Sequence, residues 1–446
     1  MPLSELLGKS FECPCGRTHR MPIRELVYAR DVVDSLGDIL RRCLGEVRPQ
    51  RVAVVADRRT WDLSGEKARN ALEAAGLEAS PILVADRGLR SPMCDDVTCR
   101  ALVEQLRPLH VDAVVAVGSG VINDLSKWAS FELRIPYVVV ATAASMNGYS
   151  SANVAPTIAG VKMLIEAKPP LAVVADPAVI AGAPHPMTTA GFGDTIAKHQ
   201  SNGDWAMNSL LQGEYYCSFC AGIAGDIEPL YLDHPEHIRH RRPEAVQGLF
   251  EALFWTGMAM TLMGTSIPAS GGEHLLSHTL DMMAEVRGES HDLHGRQVGV
   301  GTVLSAALFE RVLAVENPDV GDLPPVVEEA FWIDPSVVVA VREQDQAKRP
   351  RLELLRERIR QRDLWDEARA RAAAQVKSPQ TIRDWLTRAG GAACAADIGC
   401  SRPRIRSAIL HMHEIRKRPT IIDLAWLTGV LPAALDDIVD QWLCGS

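Results

Sequence analysis

Four histidines and one aspartate in the second half of the chain have the residue types and spacing of a metal site. His274 and His278 are four residues apart in GGEHLLSH, so on a helix both imidazoles would project from one face. His291 and His294 follow in HDLHGRQVGVG, and Asp194 follows two glycines in TTAGFGD, where we expect a helix to begin. One carboxylate and two imidazoles would leave positions open for a substrate oxygen, which is typical of catalytic metal sites. Singly, each histidine is more often structural, but the combination predicts metal-assisted chemistry.

A second group of residues has the arrangement of a dinucleotide site. The segment GSG at 118–120 follows an apolar run and precedes a helical pattern, so amides at the helix start could bind a phosphate. Asp57 ends an earlier apolar run, and TAAS at 142–145 ends a later one with two hydroxyls. The spacing lacks a third glycine, so a tight turn without a ligand is the alternative. Asp124 and Lys127, three residues apart on the next helix, fit a salt bridge as well as a cofactor role.

Short apolar runs alternate with helical patterns through the first part of the chain. The runs RVAVVAD, SPILVAD, VDAVVAVGSG, IPYVVVAT and PLAVVAD are rich in β-branched residues, whereas segments such as SGEKARNALEAAGLE have apolar residues three and four apart. This alternation predicts an α/β, Rossmann-like domain with a parallel sheet over residues 1–185, with ligands at the carboxyl ends of the strands. Longer helical patterns follow, and we expect an all-α domain over residues 186–446.

Composition and charge narrow the function classes. The 446 residues are 47% hydrophobic and 23% charged with a net charge of −9, which is not the basic balance of a nucleic-acid-binding protein. The sequence contains no apolar run of about 18 residues and no secretory signal pattern, so we expect a cytoplasmic protein without a membrane span. The absence of GxSxG and GxxxxGK[ST] patterns argues against serine hydrolases and P-loop nucleotidases.

The ten cysteines are too sparse for a disulfide framework in a chain of this length. Cys13, Cys15 and His19 in CPCGRTH have zinc-binding residue types, but no second cysteine pair follows at a spacing typical of zinc fingers. The segments YYCSFC and CAADIGC are weaker candidates. We expect mostly reduced, buried thiols, and whether Cys13, Cys15 and His19 bind a metal stays open.

Five segments, in this order, resemble the sn-glycerol-1-phosphate dehydrogenases, a branch of the iron-containing alcohol dehydrogenase and dehydroquinate synthase-like superfamily. They are GSGVIND, TAASMNGYSS, GFGDTIAK, SGGEHLLSH and HGRQVGVG, and the late RKRPTIIDLAWLTGVL is similar to the family's end. The resemblance extends from about Arg51 to the carboxyl terminus. It implies a dehydroquinate synthase-like fold, and the reversible NAD(P)H-linked reduction of dihydroxyacetone phosphate to sn-glycerol 1-phosphate at a divalent metal. We also expect a homo-oligomer, a dimer or larger.

The resemblance implies roles for individual residues. Asp194, His274 and His294 would bind the metal, which is usually zinc in such proteins and nickel in some bacterial relatives. His278 would face the substrate, and Asn147 stands where the family commonly has an aspartate that contacts it. The catalytic group would therefore be His278, Asn147 and Asp194. The cofactor, NAD or NADP, would contact Asp57, Gly118, Ser119, Gly120, Val121, Ile122, Thr142, Ala143, Ala144, Ser145 and Ser151.

Several alternatives stay open. The substrate could be another small polyol or phosphorylated ketone, because the amide of Asn147 lacks the negative charge and basicity of a carboxylate. The chain could be a dehydroquinate synthase-like cyclase that uses NAD transiently, although such proteins typically begin the metal triad with glutamate instead of an aspartate like Asp194. It could also be a cofactor-binding regulator without turnover. Arg58 and Arg59, next to Asp57, leave both NAD and NADP possible.

Overall fold

The computed structural model describes residues 3–87, 91–158 and 161–445. Its strands are β1 (Ser10–Glu12), β2 (Thr18–Arg20), β3 (Glu25–Tyr28), β4 (Arg51–Ala56), β5 (Glu78–Leu83), β6 (Ala113–Gly118), β7 (Tyr137–Ala141), β8 (Asn153–Val154), β9 (Thr157–Ile158), β10 (Val161–Lys162), β11 (Ile165–Glu166) and β12 (Ala172–Ala175). Its helices are α1 (Leu36–Leu44), α2 (Arg58–Thr60), α3 (Glu66–Ala74), α4 (Asp96–Leu106), α5 (Gly120–Leu133), α6 (Pro177–Gly182), α7 (His185–Ile196), α8 (Lys198–Leu211), α9 (Ser218–Gly222), α10 (Pro229–Leu232), α11 (Glu236–Arg239), α12 (Pro243–Met263), α13 (Gly272–Arg287), α14 (His294–Leu313), α15 (Glu329–Trp332), α16 (Pro335–Arg358), α17 (Arg362–Ala373), α18 (Pro379–Ala389), α19 (Arg402–His411), α20 (Ile421–Leu427) and α21 (Leu435–Ile438).

Six strands form one parallel sheet in the order β3-β12-β7-β6-β4-β5. Every residue of β6, β7 and β12 is buried, which explains their continuous runs of valine and alanine. The register pairs Ala56 with Val117, and Gly118 with Ala141. The carboxyl ends of β4, β6 and β7 therefore meet at one edge of the sheet, and the residues that follow them are brought to that edge.

Contacts divide the chain into two compact units. The first comprises Met1–Ile158, Met163–Thr188 and Gly222–Thr265, and the second comprises Ala159–Lys162, Thr189–Ala221 and Ser266–Ser446. The first unit contains the parallel sheet. Helix α12 belongs to it because α12 packs on the turn at Asn147–Tyr149, where a Cβ on Gly257 would lie 2.0 Å from the carbonyl oxygen of Asn147. The domain boundary at residue 185 stays a prediction.

The predicted fold class is confirmed, because a parallel sheet with helices is followed by a helical second half. The five predicted runs correspond to β4, β5, β6, β7 and β12. The pattern did not predict β3, an edge strand of four half-buried residues without a long apolar run. Among the described residues, no helix combines the length and the hydropathy that a membrane span requires.

The predicted helix start at Asp194 is wrong, because this residue lies in the last turn of α7. The preceding glycine does not break the helix but lets another backbone come close. A Cβ on Gly193 would lie 2.2 Å from the carbonyl oxygen of Gly295, at the start of α14. The glycines thus permit close packing of α7 against α14, which brings Asp194 near the first residue of α14.

We expect Gly295→Ala to destabilise the second unit. The new Cβ would lie 2.0 Å from the carbonyl oxygen of Ala190, and relieving this overlap requires α7 and α14 to separate. Overpacking of this kind typically costs about 1–3 kcal/mol in the free energy of unfolding, which urea denaturation measures. Gly182→Ala is the control, because a Cβ there meets no atom within 4 Å. Equal stability of the two variants would contradict the close packing.

Candidate active site

Asp194, His274 and His294 bring their ligand atoms together from three helices. His274 is in the first turn of α13, and His294 is the first residue of α14. Their ligand atoms and that of Asp194 lie within 4.8 Å of one another, and His274 Nε2 is 3.4 Å from Asp194 Oδ1. A tetrahedral zinc with nitrogen and oxygen ligands would separate its ligand atoms by about 3.4 Å. The donor set and its spacing therefore fit a single divalent ion.

Glu273 orients His274 for such a role. Nδ1 of His274 is 2.9 Å from Oε1 of the fully buried Glu273, which leaves Nε2 on the side of Asp194. Burial lowers the pKa of His274, but the carboxylates of Asp194 and Glu273 outweigh it and raise this pKa to about 8. The pocket thus stabilises positive charge at the place where a divalent ion would bind.

Ser277 orients His294 in a similar way. The Ser277 hydroxyl donates to Oε1 of Gln297 at 2.9 Å and lies 2.9 Å from Nδ1 of His294. The Nδ1–H of His294 can therefore donate to Ser277, which leaves the Nε2 lone pair available to a metal. Burial, together with the nearby charge of His274, lowers the pKa of His294 to about 4. His294 is therefore neutral at pH 7, as a metal ligand must be.

His278 lies one helical turn after His274 and next to the triad. Its ring centroid is 5.4 Å from that of His294 and 6.1 Å from that of His274. Its buried Nδ1 has no hydrogen-bond partner in the described part of the chain. Burial above all lowers the pKa of His278 well below its ordinary value, and the cation of Arg416 acts in the same direction. A neutral imidazole with an unsatisfied nitrogen is suited to contact a substrate.

His291 is separate from the triad. It forms an ion pair with Asp281, whose Oδ1 is 3.1 Å from Nδ1 of His291, and this contact raises the pKa of His291. Asp281 also lies within 4.8 Å of His278 and His294, so these three offer a second possible ligand set. Because His291 already neutralises Asp281, we favour the set that contains Asp194.

Two cations near His278 were not singled out by any sequence pattern. Lys162 in β10 and Arg416 both lower the pKa of His278 through their charge, and Lys162 also lowers that of His294. Nη1 of Arg416 donates to Oγ of Ser270 at 3.0 Å and to its carbonyl oxygen at 3.3 Å, just before α13 begins. Arg416 falls in RKRPTIIDLAWLTGVL, which carried a family resemblance but no role for this residue, and Lys162 had no signal.

In the first unit, the predicted phosphate-binding segment lies at the carboxyl edge of the sheet. Ser119 precedes α5, whose first hydrogen bond runs from Asn123 N to Ser119 O at 2.9 Å. The amides of residues 120–122 consequently have no acceptor within the helix and can bind an anion. A Cβ on Gly118 would lie 2.6 Å from the Cβ of Ile122, so the turn requires glycine. The hydroxyls of Ser119 and Ser145 are 2.5 Å apart and join the two predicted cofactor segments.

Asp57 lies at the same edge but already has partners. Its Oδ1 accepts from Thr60 N at 2.9 Å as the cap of α2, and its Oδ2 is 3.6 Å from Nη2 of Arg59. Arg59 in turn donates to both carboxylate oxygens of Asp86, at 2.6 and 3.1 Å. A ribose would therefore meet a carboxylate that is held in place, and a 2′-phosphate would compete with Asp86 for Arg59.

The remaining predicted cofactor residues follow β7. Thr142, Ala143 and Ala144 are buried, and the Tyr149 hydroxyl donates to the Ala143 carbonyl at 2.8 Å. The Ser151 hydroxyl donates to the carbonyl of Asn153 at 2.9 Å.

Lys127 holds the loop that carries Asn147 and Ser151. Its side chain is fully buried, and Nζ donates to the carbonyls of Gly148 at 2.7 Å and Asn153 at 3.0 Å. Lys127 also lies 3.2 Å from Asp124, so the salt bridge anticipated as one alternative is present. Lys127 therefore positions this loop, which leaves Asn147 half-buried in a 3₁₀ turn.

We expect Ser277→Ala to weaken metal binding by about 10- to 100-fold, because His294 loses the partner that orients its ring. Competition with a chelator of known affinity measures this change. Ser305→Ala in α14 is the control, because the buried Ser305 hydroxyl has no hydrogen-bond partner among the described residues. Equal metal affinities of the two variants would show that Ser277 does not support the site.

Comparison with known proteins gives consistent results. A family model described as iron-containing alcohol dehydrogenase matches residues 27–184. A glycerol-1-phosphate dehydrogenase of Geobacillus stearothermophilus, whose name specifies NAD(P)+, is 30% identical over 93% of this chain and 95% of its own. An equally named protein of Thermococcus kodakarensis is 31% identical over 71% of this chain and 90% of its own.

Solved structures show the same fold. A probable glycerol dehydrogenase from Sinorhizobium meliloti 1021 superposes with a TM-score of 0.62 at 16% identity, over 94% of this chain and 98% of the other. A glycerol dehydrogenase from Schizosaccharomyces pombe gives a TM-score of 0.58 at 13% identity, over 94% and 91%. The sequence identities to the curated relatives show that the chain belongs to the glycerol-1-phosphate dehydrogenase family.

Proposed function

We propose that this protein reduces dihydroxyacetone phosphate to sn-glycerol 1-phosphate with NADH or NADPH, at a divalent metal held by Asp194, His274 and His294. The observation that carries the proposal is the convergence of these three ligand atoms beside the unsatisfied Nδ1 of His278. The names of the relatives support the reaction and the cofactor. We propose zinc as the metal, with nickel as the alternative, since nitrogen and oxygen ligands suit both.

Each group has a chemical task in this proposal. A bound metal would polarise the ketone oxygen as a Lewis acid, and a bound nicotinamide would supply the hydride. Glu273 and Ser277 would keep the ligand nitrogens of His274 and His294 directed inward. His278 would hydrogen-bond to the substrate and pass the proton that the product hydroxyl gains, directly or through a water.

Lys162 and Arg416 would bind the phosphate of the substrate. Both are cations whose charge acts on His278, and a phosphate beside either cation would form a charge-assisted contact with it. Two cations whose charge acts on the imidazole of His278 favour a phosphorylated ketone over an uncharged polyol as the substrate. If Lys162 and Arg416 bind a phosphate, a phosphorylated ketone is the better of the two substrate classes that the sequence left open.

Asn147 would orient the substrate without taking a proton from it. An asparagine amide can both accept and donate a hydrogen bond, but it has no basicity near pH 7. Proton transfer in this chain would then depend on His278 alone. The departure from the aspartate common in the family is consistent with the same reaction and a different hydrogen-bond pattern at the substrate hydroxyls.

Replacing two neighbouring histidines should separate metal binding from chemistry. We expect His274→Ala to lose both the metal and the activity, because a ligand is removed. We expect His278→Ala to keep the metal but to lose about 10²- to 10⁴-fold in kcat, because a proton-transfer group is removed. Elemental analysis and NADH oxidation with dihydroxyacetone phosphate measure the two effects.

The control for this pair is His291→Ala, which removes a half-exposed imidazole that is paired with Asp281. It should keep the metal and most of the activity. Full activity of His274→Ala would rule out the proposed metal site, and loss of metal in His278→Ala would favour the second ligand set.

Phosphate recognition can be tested with Lys162→Gln. We expect kcat/KM for dihydroxyacetone phosphate to fall by about 10- to 100-fold, which corresponds to one charge-assisted hydrogen bond, and kcat/KM for unphosphorylated dihydroxyacetone to stay unchanged. The matched control is Lys417→Gln, which removes an exposed lysine next to Arg416. An equal loss with both substrates would show that Lys162 does not contact the phosphate.

A further inference from the structure

We propose that the amino-terminal hairpin binds a zinc ion of its own through Cys13, Cys15 and His19. These residues lie in the first unit, and the catalytic proposal does not use them. Their ligand atoms lie within 4.8 Å of one another. Cys13 and Cys15 form no disulfide bond, and the thiolate is the form in which a cysteine binds a metal.

The hairpin geometry brings the three side chains together. Strands β1 and β2 pair antiparallel with Phe11 opposite His19. In the connection, Cys13 N donates to Arg17 O at 3.0 Å and Gly16 N donates to Cys13 O at 2.9 Å. Gly16 has a φ of +84°, which a residue with a side chain rarely adopts. This tight turn folds Cys15 back until its Sγ is 3.4 Å from Nε2 of His19.

The distances and the burial fit zinc. A tetrahedral zinc ion would separate a thiolate sulfur from an imidazole nitrogen by about 3.6 Å, close to the observed distance. Cys13 is 6% exposed and His19 is 5% exposed. Two sulfurs and one imidazole form a soft donor set that favours zinc over magnesium or calcium, whereas the Asp194 set contains no sulfur. The two sites therefore differ in ligand chemistry.

A metal would give this short hairpin a stability that its strands do not provide. β1 and β2 have three residues each, and isolated two-stranded hairpins are marginal in water. The chain leaves the hairpin through Ile23, whose carbonyl accepts from Gly8 N at 2.8 Å, and then forms β3 at the edge of the parallel sheet. A zinc ion in the hairpin would thus fix the segment that leads into β3.

Structural zinc is four-coordinate, and the hairpin supplies three ligands. Serine replacement of the other cysteines, one at a time, identifies whether a fourth is cysteine.

The test uses the His274→Ala variant of the full chain, which removes a ligand of the other metal site. We expect this variant to retain one equivalent of zinc, and adding Cys15→Ser to remove it. After replacement of zinc by cobalt, the His274→Ala variant should show a thiolate-to-cobalt charge-transfer band, which the sulfur-free Asp194 set cannot produce. Cys394→Ser, which replaces another half-buried cysteine, should leave zinc and the band unchanged.

A second variant covers the case in which Cys15→Ser does not fold. Cys15→His keeps a zinc ligand at this position, so it should retain zinc while the charge-transfer band weakens. X-ray absorption at the zinc edge should show at least two sulfurs and one imidazole for the His274→Ala protein. The absence of bound zinc in that variant, or zinc without sulfur ligands, would overturn the proposal and would leave only a Cys15–His19 hydrogen bond.

Discussion

In the second unit, the buried carboxylates of Asp194 and Glu273 both contact the imidazole of His274. The properties of the proposed metal site depend on this arrangement of charge. Asp194 is 1% exposed and Glu273 is fully buried, so water does not solvate their charges. Buried charges are stable only when they are paired or bind a metal. His274 lies between them and gains a raised pKa, which supplies positive charge when no metal is bound. A divalent ion at the same place would satisfy the same requirement more strongly.

The packing of α7 against α14 determines which residues lie close to these carboxylates. Gly193 and Gly295 let α7 and α14 approach until no Cβ fits between them. This approach places the last turn of α7 against the first turn of α14, so Asp194 and His294 become neighbours. Ser277 on α13 then reaches His294 across the contact between α13 and α14. The approach of Asp194 to His294, two of the proposed metal ligands, therefore depends on two glycines.

The sequence predicted the elements with a regular apolar pattern and the segment in which histidines cluster. The buried strands are continuous apolar runs, and His274 and His278 share one helix face, so both could be recognised without a structure. The edge strand β3 is only half-buried and has no long apolar run, so the sequence pattern did not predict it. The predicted position of Asp194 at a helix start was wrong because Gly193 permits a close helix contact instead of marking a helix start. Lys127, Ser277 and Lys162 act through partners distant in sequence, which no local pattern encodes.

The central claim is that a metal in the Asp194, His274 and His294 site is required for hydride transfer to a phosphorylated ketone. The most direct measurement is NADH oxidation by the metal-stripped protein with dihydroxyacetone phosphate, before and after zinc or nickel is restored, with the configuration of the product determined. The account predicts no oxidation by the stripped protein, and after metal addition one NADH consumed per molecule of sn-glycerol 1-phosphate. Undiminished turnover without metal, or product without net NADH consumption, would contradict it.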